Sequence, residues 1–322
     1  MLLKKITISI IAFLATTSTF IQSYKFKKLT VLTNSSGKKY GGHYAVTRSL
    51  IEGLQKIGAN FNYNPKSTSD IGDVVVVLAG IPALKKAINL KKKGVIKKLL
   101  AGPNLVNLPH DHNRLLGSPE LDVCIVNSYW TRITYLEDMP SLEKKISIWP
   151  AGVNSEYWKP TDNNKKDNKN VLVYVKFQDG KSLFSPVAKI LKKYGWNPIQ
   201  ITYGSYNINQ FKNLLSQSKF AVFLSRSESQ GIALAEAWSM NVPTLPWDPG
   251  YLKTRFWEYK IISSCPYLTN ELGIKWKTLG ELEKLIKNID IKLKTFRPRE
   301  WLLENMSDEV CAQYMIDIIE AL

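Results

Sequence analysis

The fold is indicated most clearly by the stretch Ser225-Arg226-Ser227-Glu228-Ser229-Gln230-Gly231-Ile232-Ala233-Leu234-Ala235-Glu236-Ala237. It directly follows an apolar run of strand length, 220–224, and leads into a predicted helix at 233–240. Small residues and a glycine between a strand and a helix let a ligand approach the backbone closely. The free N–H groups at the start of such a helix favour an anion. The stretch therefore predicts an anion-binding loop at the end of a buried strand.

Two acidic residues of this stretch are candidates for ligand contact. Glu228 precedes the predicted helix, and Glu236 lies one to two turns inside it. In this arrangement Glu228 can face a ligand above the loop while Glu236 reaches the hydroxyl groups of the same ligand. The alternative is a helix capped by Ser227 or Ser229, with two solvated acids. The residues alone leave both interpretations open.

Outward from this stretch, apolar runs of strand length alternate with stretches of helical period. Short, continuous apolar runs are typical of strands buried on both faces. Their alternation with helices implies crossover connections, and therefore an α/β fold with parallel sheets covered by helices. The predicted strands are 29–33, 74–78, 98–101, 123–126, 171–175, 199–202, 220–224 and 243–245. The predicted helices are 44–56, 82–92, 130–137, 183–194, 208–216, 233–240, 279–289 and 300–322.

The length and one polar stretch predict two domains. A chain of 322 residues is about twice the ~150 residues of a typical domain. The stretch 159–170 has almost no apolar residues, and the strand–helix alternation restarts after it. We therefore expect two similar α/β domains, over 24–158 and 171–300, with a linker over 159–170 and a cleft between them. A C-terminal helix over 301–322 completes the prediction.

The first 23 residues are typical of a targeting segment. Lys4 and Lys5 precede a largely apolar run at 6–21. This pattern matches the basic and hydrophobic regions of a secretory signal, and the run is somewhat short for a spanning helix of about 20 residues. A cleaved signal peptide and an uncleaved anchor both remain open. An anchor predicts a protein associated with the cytoplasmic side of a membrane, whereas a cleaved signal predicts export.

The composition restricts the class of partner. Lys and Arg number 44 and Asp and Glu 27, which gives a formal net charge of +17. The lysines are spread along the chain rather than clustered, so we expect no nucleic-acid partner. The lysines within 91–98 form either a solvated face or a contact with an anionic membrane surface. Three cysteines without a CxxC pair argue against a disulfide framework or a zinc ribbon.

Four pieces of the sequence resemble one enzyme family. Glu228-x7-Glu236 with its internal glycine, followed by 237–244, resembles the nucleotide-sugar signature of retaining glycosyltransferases of family 4. Lys176 and Lys181, after the strand at 171–175, resemble the basic-x4-Lys pair of that family, which usually has Arg where Lys176 stands. The segment 148–160 resembles its interdomain segment. Gly41-Gly42 resembles its glycine-rich loop facing the donor.

The resemblance implies a fold, a reaction and a set of partners. The fold is GT-B, in which two Rossmann-like domains have parallel sheets facing a central cleft. The reaction is transfer of a sugar from a nucleoside-diphosphate-sugar donor, with retention of anomeric configuration, to a carbohydrate or lipid-linked acceptor. The nucleotide-sugar is a substrate, and no cofactor is implied. The alternative is a GT-B-like protein that binds a carbohydrate or a partner without turnover.

The resemblance also implies roles for individual residues. Lys176 and Lys181 would contact the diphosphate, Glu236 the ribose and Glu228 the transferred sugar. The remaining donor contacts would come from the backbone of Gly41, Gly42, Gly231 and Ile232. Such groups stabilise a leaving diphosphate most strongly in the transition state. The chain contains no Asp-x-Asp sequence, so we expect a metal-independent enzyme.

One histidine is a further catalytic candidate. His110 lies in the sequence Leu-Pro-His-Asp-His at 108–112, in the region where the family commonly places a histidine near the transferred sugar. A metal site formed by His110, Asp111 and His112 is one alternative, although no third or fourth ligand outside this run is evident. An ordinary polar loop is the other alternative.

Overall fold

A computed structural model describes residues 26–34, 41–160, 169–255 and 257–322. Within these ranges the chain forms two separate parallel β-sheets, each covered by helices, and one small antiparallel hairpin. The α/β fold with two parallel sheets, expected from the alternating apolar runs, is confirmed. The predicted signal or anchor over 1–23 lies outside the described residues, as does most of the predicted linker.

The first sheet has six parallel strands. In chain order, its elements are β1 (Leu29–Thr33), α1 (Gly42–Lys56), β2 (Phe61–Tyr63), β3 (Val74–Ala79), α2 (Ile81–Lys92), β4 (Lys98–Asn104), α3 (Asp111–Arg114), β5 (Val123–Val126), α4 (Tyr129–Asp138) and β6 (Ile146–Ile148). The strand order is β2-β1-β3-β4-β5-β6. Because β1 lies between β2 and β3, the chain crosses first to one side of β1 and then to the other.

The second sheet has four parallel strands in the order β10-β9-β7-β8. Its elements are β7 (Asn170–Val175), α5 (Phe177–Lys193), β8 (Asn197–Thr202), α6 (Ile208–Ser216), β9 (Phe220–Leu224), α7 (Ile232–Ser239) and β10 (Thr244–Pro246). The antiparallel hairpin β11 (Leu252–Lys253) and β12 (Glu258–Tyr259) follows, and then α8 (Leu279–Lys287), α9 (Ile289–Lys292), α10 (Pro298–Asn305) and α11 (Asp308–Glu320). The strand order again reverses, here between β7 and β9. Ligands of open α/β sheets bind at such reversals, outside the carboxyl ends of the strands.

The C-terminal helix returns to the first domain, the unit built on β1–β6. Ala312, Met315 and Ile316 of α11 are buried in the same apolar cluster as Leu50 of α1. The buried indole Nε1 of Trp149 donates to the Cys311 carbonyl at 2.8 Å. The last helix therefore completes the core of the domain with which the chain begins.

Several sequence expectations differ from the observed elements. The helix expected over 183–194 is α5, which begins six residues earlier, at Phe177, and so includes Lys181. The expected single helix over 300–322 is instead two helices, α10 and α11, separated at Met306 and Ser307. The break occurs because the Ser307 side chain accepts a hydrogen bond from the Val310 N–H and so caps α11. The strands β2 and β6 were not expected, since each has only three residues and their apolar patterns are weak.

Within the described residues, no helix is both long and apolar enough to cross a membrane.

Candidate functional site

The carboxyl ends of both sheets border one large cavity, with a volume of about 1060 Å³. The first domain contributes Asn104 at the end of β4 and Asn127 just after β5. The second domain, the unit built on β7–β10, contributes Lys176 after β7 and Glu228 after β9. Lys176 and Glu228 thus flank the point at which the strand order of the second sheet reverses, where a ligand is expected.

The start of helix α1 forms part of the cavity wall. Gly41 precedes the helix with φ +99°, a conformation that favours glycine, and no side chain caps the first turn. Gly41, Gly42 and His43 line the cavity. Because the first N–H groups of a helix lack partners within the helix, they carry positive partial charge and favour an anion here.

The start of helix α7 forms another part of the cavity wall. Gly231 precedes this helix with φ +87°, and a Cβ atom there would lie 2.8 Å from Leu234 Cδ1. No side chain caps the helix, so the interpretation of Ser227 or Ser229 as a cap is wrong. The buried Gln230 side chain exchanges two hydrogen bonds with the Ala151 backbone, at 2.5 and 2.9 Å. The segment that follows β6 therefore holds this loop in position.

Lys176 and Glu228 form an ion pair inside the cavity. The Lys176 Nζ atom lies 2.9 Å from Glu228 Oε1 and 2.8 Å from Glu228 Oε2. The Ser225 hydroxyl donates to Glu228 Oε1 at 2.9 Å, and the Lys176 Nζ atom stands 4.8 Å from the centre of the Tyr203 ring. Both charged side chains are largely shielded, with exposures of 15% and 16%. The pair thus brings a cation and a carboxylate from two strand ends to one point.

Glu236 is half-buried on α7 and lines the same cavity. Burial raises the pKa of its carboxyl to about 8, against the opposing influence of the Arg48 guanidinium. Arg48 also lines the cavity and is held by Glu52 at 2.6 Å and by Asp308 at 3.0 Å. Among the described residues, the Glu236 carboxylate has no hydrogen-bond partner. It is therefore available to a ligand.

An aromatic lobe, formed by Tyr157, Trp158, Tyr174, Tyr206 and Phe211, lines another part of the cavity. The Tyr206 hydroxyl donates to the Tyr174 hydroxyl at 3.2 Å, and burial raises the pKa of Tyr206 to about 12. Flat aromatic faces with polar edges suit a planar ring. The sequence did not reveal this lobe, because its members lie on four separate elements.

Seven of the nine site residues expected from the sequence line the cavity, namely Gly41, Gly42, Lys176, Glu228, Gly231, Ile232 and Glu236. Lys181 is exposed on α5 and is not among the lining residues. His110 is also outside the lining, and 47% of its side chain is exposed. Its Nδ1 atom lies 2.6 Å from Asp138 Oδ1, and its ring centre is 6.4 Å from that of Trp257. Within the described part of the chain, no group of three His, Cys, Asp or Glu side chains is arranged to hold a metal ion.

Three residues shortly after His110 have left-handed backbone conformations. His112 and Asn113, within the short element α3, have φ values of 54° and 59°, and Arg114 follows with 59°. Three successive left-handed residues turn the chain sharply after His110. His110 and His112 therefore do not lie on one regular helix.

The two parallel α/β sheets with their strand ends at one cavity define the GT-B fold, an architecture of glycosyltransferases. HepE from Anabaena, solved in complex with UDP, is similar over 92% of this chain and 100% of its own, with a TM-score of 0.60 and 11% identity. The lipopolysaccharide outer core galactosyltransferase WaaB is similar over 92% of this chain and 100% of its own, with a TM-score of 0.58 and 13% identity.

A third similar structure comes from a plant. The catalytic domain of starch synthase IV from Arabidopsis thaliana, bound to ADP and acarbose, is similar over 89% of this chain and 80% of its own, with a TM-score of 0.53 and 10% identity. No protein-family model and no curated protein matches the sequence. At these identities the similarity establishes the fold alone.

Proposed function

We propose that this protein is a retaining glycosyltransferase of family 4 that uses a nucleoside-diphosphate-sugar donor. The observation that carries the proposal is the convergence of two uncapped helix starts, the Lys176–Glu228 pair and Glu236 on one cavity between two sheets. Such a site offers positive partial charge for a diphosphate and carboxylates for hydroxyl groups. HepE and starch synthase IV, which share the fold, were solved with UDP and ADP.

The diphosphate is proposed to lie between the start of α1 and the start of α7, with Lys176 as its point charge. Gly41, Gly42, Gly231 and Ile232 would contribute backbone N–H groups there. Because these dipoles are fixed before the reaction, they stabilise the charge that develops on the leaving diphosphate without reorganisation. We propose that this arrangement makes a metal ion unnecessary. Lys181, which is exposed on α5, is proposed to make a weaker contact with the phosphates from the edge of the site.

The nucleoside is proposed to occupy the end of the cavity that holds Glu236 and the aromatic lobe. Glu236 would hydrogen-bond the ribose hydroxyls, and the planar base would lie against the rings of the lobe. A group whose pKa is raised to about 8 is largely protonated at neutral pH. In that state Glu236 both donates and accepts a hydrogen bond without adding negative charge beside the diphosphate.

Glu228 is proposed to hold the transferred sugar, and Lys176 to orient it. In the structure the two side chains pair with each other. A diphosphate that recruits Lys176 would leave the Glu228 carboxylate to accept hydrogen bonds from sugar hydroxyls. His110, oriented by Asp138, is proposed to act from the acceptor side, near the transferred sugar.

The acceptor is proposed to be a carbohydrate or a lipid-linked carbohydrate. Exposed lysines are grouped on and just after α2, at Lys85, Lys86, Lys92, Lys93 and Lys97. Lysines near an anionic bilayer contribute about 1 kcal/mol each to binding. We therefore propose that this face contacts an anionic membrane surface. Cosedimentation with vesicles of phosphatidylglycerol, compared with phosphatidylcholine, tests this part separately.

The experiment that tests the proposed function has two stages. A thermal-shift screen against nucleoside diphosphates and their sugars identifies the donor, because a ligand at about 100 times its Kd adds about 2.7 kcal/mol of stability. Donor hydrolysis and transfer are then followed by NMR, which also reports the anomeric configuration of the product, with and without EDTA. A donor that binds without hydrolysis or transfer to any acceptor would instead support the non-catalytic alternative.

A further inference from the structure

The part of the cavity wall formed by Asn104 and Asn127, at the ends of β4 and β5 of the first domain, has no role in the function proposed so far. Asn104 is half-buried and ends β4, while Asn127 is 7% exposed and follows β5 directly. The two strands are neighbours, with Ala101 opposite Cys124. Asn104 and Asn127 each lie three residues beyond that pair. The two amides therefore come from adjacent strand ends and line the same cavity.

The Asn104 amide is incompletely satisfied by the protein. Its Nδ2 atom is buried from solvent and has no hydrogen-bond partner. A buried amide donor without a partner destabilises the folded protein, and native proteins retain few such groups. Because Asn104 lines the cavity, a rotation of its amide that turns Nδ2 toward the cavity would let a ligand supply the missing partner.

Asn127 lies next to the loop that carries Glu228. The Tyr267 hydroxyl donates to the Asn127 carbonyl, and Trp130, three residues further along, donates its indole N–H to the Glu228 carbonyl at 2.9 Å. These two hydrogen bonds join the end of β5 to the second domain. Asn127 and Glu228 therefore line the cavity from two segments that are linked across the domains.

The charges of the cavity restrict what this ligand group can be. Among the described residues that line it, Arg48 and Lys176 are the Lys or Arg side chains, and each already faces a carboxylate. Glu52, Glu228 and Glu236 also line the cavity. A carboxylate on the ligand beside the asparagines would be buried without a cation of its own, which is costly. Amides, by contrast, both donate to and accept from hydroxyl groups.

We propose that Asn104 and Asn127 bind hydroxyl groups of the transferred sugar, and that this sugar is uncharged. This inference rests on the proposed function, since it assumes a nucleotide-sugar in the cavity. The sugar then lies between a neutral amide wall on one side and Glu228 on the other. Asn104 and Asn127 determine specificity at this position, because they match a neutral hexose and not a uronic acid.

The test uses leucine substitutions at two asparagines of the cavity that differ in their partners. Asn104→Leu removes the buried donor and keeps the branched shape of the side chain, so it should raise the unfolding midpoint of the ligand-free protein. Asn154→Leu is the matched control. The Asn154 amide also lines the cavity, but it already donates to Glu52 and accepts from the Tyr157 N–H. Loss of these two hydrogen bonds in Asn154→Leu should lower the unfolding midpoint.

Calorimetry then separates the sugar contact from the nucleotide contact. With the nucleoside diphosphate selected by the thermal-shift screen, Asn104→Leu and Asn127→Leu should bind as tightly as the wild-type protein. With the corresponding glucose-type donor, each should bind about 2- to 10-fold more weakly, the equivalent of one neutral hydrogen bond. The wild-type protein should bind the glucuronate-type donor more weakly than the glucose-type donor.

Each outcome bears on one of the two proposals. If the wild-type protein binds no nucleoside diphosphate or nucleotide-sugar, the proposed function fails. If it binds them but both leucine variants retain full affinity for the sugar donor, the function stands and the asparagine assignment is overturned. Equal or tighter binding of the glucuronate donor overturns the assignment of an uncharged sugar. A lowered unfolding midpoint in Asn104→Leu would indicate a structural role instead.

Discussion

The two walls of the cavity are built from different chemistry. The second-domain wall carries Lys176, Glu228 and Glu236, which are charged or ionisable and lie on two segments of a single sheet reversal. The first-domain wall, meaning the ends of the neighbouring strands β4 and β5, carries the neutral amides Asn104 and Asn127. Arg48 and Glu52, which also line the cavity, belong to α1. The charged wall suits the diphosphate and ribose of the proposed donor, whereas the neutral wall suits sugar hydroxyls.

This difference also separates the wall expected to provide donor affinity from the wall expected to provide sugar specificity. Charge-assisted contacts contribute about 1.5–3 kcal/mol each, against about 1 kcal/mol for a neutral hydrogen bond. We therefore expect the second-domain wall to determine most of the donor affinity, and the first-domain wall to distinguish one sugar from another. Substitutions in each wall test this division.

The largest expected effect is on the pH dependence of stability through Glu236. Because burial raises the pKa of this carboxyl from 4.5 to about 8, the folded state holds a proton that the unfolded state releases between those values. Stability contributed by this group is therefore full below pH 4.5, falls as the pH rises, and is lost above pH 8. At pH 9, Glu236→Gln should be more stable than the wild-type protein by roughly 3–5 kcal/mol.

Urea unfolding at a series of pH values measures this difference. Below pH 4.5 both forms carry a neutral group at position 236, so their midpoints should converge, which provides an internal control. A difference that is constant from pH 4 to pH 9 would contradict the raised pKa. A variant less stable than the wild-type protein at pH 9 would mean that the carboxylate has a cationic partner.

The contrast between the walls also explains which parts of the molecule the sequence predicted. The buried strands were predicted well because continuous apolar runs such as 220–224 are visible without a neighbour. The charged wall was predicted because Glu228, Gly231 and Glu236 stand within one short stretch. Asn104 and Asn127 gave no such signal, since only the register of β4 and β5 brings them together. The helix break at Ser307 was missed because a serine inside a helical pattern becomes a cap only in its tertiary setting.

The second prediction concerns Glu228→Gln, which removes a charge from the second-domain wall without changing its shape. We expect transfer to fall about 10²–10³-fold, the usual cost of losing one preorganised contact to a transition state. Binding of the bare nucleoside diphosphate should be preserved, because the proposed partner of Glu228 is the sugar. Glu258→Gln, on the exposed hairpin, is the control and should retain full activity.

A reversal of roles would be equally informative. If Glu228→Gln lost the bare nucleoside diphosphate while Glu236→Gln kept it, the ribose and sugar assignments would have to be exchanged. Binding curves with and without the sugar moiety distinguish the two cases.

The third prediction compares two lysines of the second domain. Lys176 lines the cavity and is largely shielded, whereas Lys181 is exposed on α5. Lys176→Ala should weaken binding of the nucleoside diphosphate by about 1.5–3 kcal/mol. Lys181→Ala should have a smaller effect, because solvent screens an exposed charge. Calorimetry at two salt concentrations measures both, and equal losses at the two positions would bring Lys181 into the site.

The smallest effect is expected at the start of α1, where two adjacent glycines differ in backbone conformation. Gly41 has φ +99°, whereas Gly42 is the first helical residue and has no positive φ; a Cβ atom would meet nothing within 4 Å at either position. Gly41→Ala should therefore destabilise the protein by about 1 kcal/mol through backbone strain alone, since left-handed conformations cost L-residues roughly 1–2 kcal/mol. Gly42→Ala should be neutral or slightly stabilising, because it restricts only the unfolded chain. If diphosphate affinity falls in Gly42→Ala while stability is unchanged, the ligand approaches the backbone closely at that residue, and the first domain shares in holding the charge. If both variants keep the wild-type affinity for the diphosphate, the second-domain wall alone binds the diphosphate charge.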